Sequence, residues 1–130
     1  MTVIYALLAG ILPALLWLWF WLREDNLHPE PRTLVAVTFL GGMIVVIIAI
    51  ICERYVYDVV SDQNYRYIAW AAIEEICKFL AVSIIALHSK QMDEPIDAMI
   101  YCITIALGFA ALENSLFILS PLDSGNIARG

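Results

Sequence analysis

Basic residues are scarce in this chain. Seven Lys and Arg stand against thirteen Asp and Glu in 130 residues. No basic run exists, so a nucleic-acid-binding surface has no support. Cysteine is scarcer still: Cys52, Cys77 and Cys102 form an odd set, all in or at the ends of apolar stretches. That excludes a disulfide framework and leaves them as small packing residues. The two histidines, His28 and His88, both fall in polar connectors. There a solvated loop residue and a helix-end cation are the expected roles, ahead of metal ligation. The N-terminus lacks the positive n-region and short apolar core of a signal peptide, so the first apolar stretch reads as a retained span.

Apolar surface is what the chain has in excess. It is 62 % hydrophobic, with a mean hydropathy of +0.82, where a soluble domain is nearer half apolar. The excess gathers into blocks at 3–22, 33–51, 67–87 and 96–119. Each is about twenty residues, enough to cross a hydrocarbon core of about 30 Å. The expected fold is all-α, a polytopic transmembrane helical bundle of four spans forming one integral membrane domain over residues 1–130. The net charge of -6 is no acidic docking surface, because Glu74, Glu75, Lys78 and Glu113 lie inside spans and the other charges sit in short loops or at span ends.

The first block contains Pro13, expected to kink the helix or free a carbonyl. It ends in Trp17, Trp19, Phe20 and Trp21, the aromatic belt of a membrane interface. Pro29 and Pro31 stiffen the first loop. Gly41-Gly42 opens the second block to close approach by another helix. A second loop over 53–67 carries Tyr55, Tyr57, Tyr65 and Tyr67 as interfacial anchors. A third connector over 88–95 ends in Pro95, suited to the first helical position. Arg23, Arg32 and Lys90 on one side balance Arg54, Arg66 and Arg129 on the other, so positive charge does not set orientation.

The third block holds Glu74, Glu75 and Lys78. Each charge near mid-bilayer costs roughly 2.5–3.5 kcal/mol, so such residues face a partner or a wet cavity. Lys78 shares a helix face with both glutamates, at i+4 and i+3. One structural ion pair would still leave a carboxylate without a partner in its own helix. The fourth block holds Glu113 and Asn114. Glu74 lies roughly 20 Å before the end of its span, at 1.5 Å per residue. Glu113 lies a comparable distance into the next, antiparallel span, so the two clusters come level. A wet pocket of Glu74, Glu75, Lys78, Glu113 and Asn114 fits hydrolysis by carboxylate-activated water, with an amide at the oxyanion. It equally fits a proton or ion pathway.

Glu74-Glu75-Ile76-Cys77-Lys78 matches an E-E-x-x-K signature, and Gly108-Phe109-Ala110-Ala111-Leu112-Glu113-Asn114 a G-F-A-x-x-E-N signature. Together they resemble the PrsW family of intramembrane proteases. So do the first loop (Asp25, His28-Pro29-Glu30-Pro31-Arg32), Phe39-Leu40-Gly41-Gly42, and Glu94-Pro95-Ile96-Asp97 followed by Tyr101. The family is distantly similar to CAAX prenyl endopeptidases and bacterial immunity-type membrane proteases. The resemblance implies a multi-pass protein of the cell membrane that cleaves a single-span protein such as an anti-sigma factor. It also implies a metal, with zinc the candidate. On that reading Glu74 or Glu75 is the general base, Lys78 sets the charge of the pair, and Glu113 with Asn114 binds metal, water or oxyanion. Family members add spans with a histidine motif, which this sequence lacks. The chain is therefore expected to be the N-terminal part of such a protease, with Ile127-Ala128-Arg129-Gly130 leading toward a further helix. The alternative is a non-catalytic membrane module, an ion or proton conductor or a partner-binding subunit. Gly41-Gly42 and an unfilled polar pocket also invite self-association.

Overall fold

The structure, a computed structural model, describes residues 2–24 and 28–127, with side chains over 3–24 and 28–120. Four helices form: α1 (Thr2–Glu24), α2 (Arg32–Val59), α3 (Gln63–Val82) and α4 (Pro95–Ile127). A π-helical turn, Ser83–Leu87, prolongs α3. No strand occurs among the described residues. α1, α2 and α4 are long and apolar enough to cross a membrane. α3 is not counted with them, because Glu74, Glu75, Lys78 and its polar first turn dilute its apolar content. Three crossing helices, rather than four, are thus supported by length and composition.

α4 is the hub, packing on α1 and α2, while α3 packs chiefly on α2. α1 continues through Pro13 without interruption. Three fully buried hydroxyls are satisfied inside their own helices: Thr38 donates to the Leu34 carbonyl at 2.8 Å, Thr104 to Ile100 at 2.7 Å and Ser115 to Ala111 at 2.8 Å. They pack as small residues at no cost in unpaired groups. At the α2–α4 crossing the spacers are glycines. A Cβ on Gly42 would fall on the Ile105 carbonyl, and one on Gly108 on the Phe39 carbonyl. Gly10 is pressed in the same way against Ala111 and Ser115. Gly41 meets only side-chain ends, that of Ile85 closely and that of Ile105 at ordinary contact distance.

The connectors are shorter and better tied than the sequence suggests. α2 runs on through Val59, so most of the expected second loop is helix, and residues 60–62 make the turn. Asp62 caps α3, accepting from the Asn64 N–H at 2.8 Å and the Tyr65 N–H at 3.2 Å. Arg66 donates to the Val60 carbonyl at 2.8 Å, and its guanidinium stacks 4.2 Å from the Tyr57 ring centroid. At the opposite end Pro95 opens α4 as expected. Asp97 reaches back to the Glu94 and Asp93 N–H groups at 2.8 and 3.1 Å. Asp97 and Tyr101 are buried, and the Tyr101 hydroxyl donates to Glu30. His28 is exposed but paired, its Nδ1 2.9 Å from Glu94. Asp25 lies outside the described residues.

Overpacking a tight crossing costs on the order of 1–3 kcal/mol. Gly42→Ala and Gly108→Ala are therefore expected to lower the unfolding free energy in mixed detergent micelles by that amount. Gly41→Ala, which displaces only a flexible side-chain end, should change it by less than about 0.5 kcal/mol. Equal effects at all three positions would refute this account of the crossing.

Candidate active site

The GFAALEN stretch is placed by its first residue. Gly108 rests on the α2 backbone, so Phe109 is buried between Val45, Val46 and Ala49. One turn further, Glu113 comes onto the same side of α4, and Glu74 meets it from α3. Both line a cavity of about 190 Å3 with Val46, Ala49, Ile50, Glu53, Leu116 and Phe117. Its walls are otherwise apolar, so the carboxylates are its chemistry.

Glu53 was not singled out by the sequence, where it falls at the start of the expected second loop. Because α2 continues past it, it lines the same cavity as Glu74 and Glu113. Its backbone carbonyl accepts from Trp70 Nε1 at 3.1 Å, which fixes α3 against α2 at this level. A signal did exist: Val46, Ala49 and Glu53 follow i, i+3, i+7, one helix face.

The two adjacent glutamates separate. Lys78 Nζ lies 2.7 Å from Glu75 and 3.8 Å from Glu74. The Glu75 side chain is 74 % exposed and that of Glu74 28 %, with Lys78 at 17 %. Glu75 therefore points away from the cavity and takes the shorter ion pair, while Glu74 points in. Lys78 also sits 4.6 Å from the centroid of the Phe109 ring, which holds the ammonium on the side facing α4. Asn114 is exposed and does not line this cavity. Four of the expected residues thus gather around the cavity, Glu74 and Glu113 in its lining with Lys78 and Glu75 behind, and Asn114 stands apart.

A metal does not fit this arrangement as described. Among the described residues no three His, Cys, Asp or Glu side chains are placed to hold one. Both histidines are engaged at the far end, His28 with Glu94 and His88 Nδ1 with the Ser83 carbonyl at 2.7 Å. A zinc ion would need nitrogen or sulfur ligands beyond these carboxylates.

A family model described as PrsW family intramembrane metalloprotease matches residues 30–128. The chain is 31 % identical over 125 residues to Protease PrsW of Geobacillus kaustophilus, covering 93 % of this chain and 55 % of that protein. It is 31 % identical to Protease PrsW of Clostridioides difficile, over 93 % of this chain and 52 % of the relative. Against Protease PrsW of Bacillus subtilis it is 28 % identical, over 85 % and 52 %. The chain spans about half the length of the curated relatives it matches. No solved structure matches it.

Removing Lys78 leaves carboxylates in an apolar setting without their cation. Lys78→Met should lower resistance to detergent unfolding by on the order of 1–3 kcal/mol, discounted because Glu75 is exposed. Glu113→Gln, which relieves like charge in the cavity, should leave stability unchanged or raise it by up to about 1 kcal/mol. Circular dichroism during detergent titration reads both, and the opposite pattern would show that Lys78 does not hold the cluster together.

Proposed function

The chain belongs to the PrsW family of intramembrane metalloproteases, and on that premise we propose that it hydrolyses a peptide bond of a single-span membrane protein, with Glu74 as the base. The observation that carries this is the divergence of the two motif glutamates. Glu74 faces the cavity with Glu53 and Glu113, while Glu75 is turned outward onto Lys78. A water held between the cavity carboxylates would give one proton to Glu74 as its oxygen attacks the substrate carbonyl carbon. The same proton would pass to the leaving amine as the carbon–nitrogen bond breaks. Glu53 and Glu113 would position the water, and Lys78 would neutralise Glu75 so that one charge fewer stands exposed in hydrocarbon. Zinc, implied by the family, would join only with ligands not among these carboxylates.

On this reading the protein is a multi-pass component of the cell membrane, with α3 crossing as a fourth span whose charges shelter against α2 and α4. The substrate class follows the family resemblance, a membrane-anchored regulator such as an anti-sigma factor. A carboxylate cluster of this kind also suits ion or proton conduction, and one set of variants separates the two readings.

A general base contributes about 10²–10⁴-fold to rate. Glu74→Gln is expected to lower cleavage of a single-span reporter by that factor in membranes containing the protein. Glu75→Gln should retain most cleavage, and both variants should insert normally. Full cleavage with Glu74→Gln removes the assignment. Glutamate-dependent proton flux into dye-loaded vesicles, without cleavage, would favour the conductor.

A further inference from the structure

A second cavity lies at the end of the bundle opposite the carboxylates. α1 and α2 both pack on α4 while their own backbones stay apart. Between them is a groove of about 700 Å3, with Leu15, Leu18, Val35 and Leu40 among its walls. Apolar walls alone would be ordinary lipid contact. Here they run into two cations, Arg23 in the last turn of α1 and Arg32 at the start of α2, both lining the groove. Neither guanidinium is ion-paired to a carboxylate among the described residues. Arg23 is held 5.3 Å from the Trp19 ring centroid, and Trp19 also lines the groove. The one acidic lining residue, Glu30, accepts the Tyr101 hydroxyl.

We propose that this groove binds one anionic phospholipid, an acyl chain lying between α1 and α2 and the phosphate on Arg23 and Arg32. The planar guanidinium matches phosphate with two parallel hydrogen bonds, and its charge favours an anionic headgroup over a zwitterionic one. Trp17, Trp19 and Trp21 set this end at headgroup depth, so chain and phosphate meet the groove at their own levels. The volume falls within the range of sites for a discrete ligand, about 300–1,000 Å3.

The test places the full chain in phosphatidylcholine vesicles and titrates brominated phosphatidylglycerol against brominated phosphatidylcholine, reading tryptophan quenching. The anionic lipid should quench at a lower mole fraction, by on the order of tenfold for two arginines. Arg23→Gln with Arg32→Gln should bring the two lipids to parity. Ala36→Phe, which fills the groove and keeps both cations, should do the same, so a folding failure of one variant leaves the other decisive. Equal quenching in the unaltered chain, or a preference surviving in either folded variant, overturns the proposal. So does a photo-crosslinker at Leu40 that captures a second copy of the chain and no lipid.

Discussion

Two backbones meet with almost no side chain between them where Gly42 lies on Ile105 and Gly108 on Phe39. Everything at the carboxylate end depends on that approach. It sets the depth of α4 against α2, and hence the level at which Phe109 is buried and Glu113 emerges. It also brings Glu53 and Glu113, which are carried on different helices, into one cavity. Lipid supplies little hydrophobic drive for helix association, so close packing of this kind is what holds helices together. A methyl group at either glycine would separate the helices that build the site.

Charge is handled differently at the two ends. Near the carboxylate cavity one lysine serves two glutamates and rests on an aromatic ring. At the other end Asp97 is buried but spends itself on backbone N–H groups at the start of α4, and Tyr101 reaches Glu30 in the first loop. The first loop and the third connector are thereby fastened together, with His28 and Glu94 adding a second tie. Polar groups are tied pairwise there, while like charge gathers around one cavity at the opposite pole.

Much of this was legible in the sequence. The four apolar blocks became helices, Gly41-Gly42 marked a crossing, and spacing alone brought Glu74 level with Glu113. Family motifs named the polar cluster. Other features were hidden for physical reasons. Glu53 was masked because Cys52-Glu53-Arg54 reads as the end of an apolar run, although the helix continues through it. The division of labour between Glu74 and Glu75 depends on where α2 lies, since adjacent residues point 100° apart. The Tyr101–Glu30 bond joins residues 71 positions apart, beyond any local pattern. Asn114, adjacent to Glu113, was grouped with it by sequence although the next helical position faces another way.

The π-helical turn at Ser83–Leu87 bears on how α3 is held. Trp70 on Glu53 fixes the rotation of α3 at one end, and Ala86, buried in the core within the turn itself, seats the chain at the other. A regular α-helix between two such anchors has a single rotational phase, and any mismatch would turn Glu74 off the cavity. A π turn holds more residues than an α turn of the same angle, and so takes up the difference locally. It acts as a vernier: each anchor keeps its own alignment, and the direction of the glutamate is set by the nearer one.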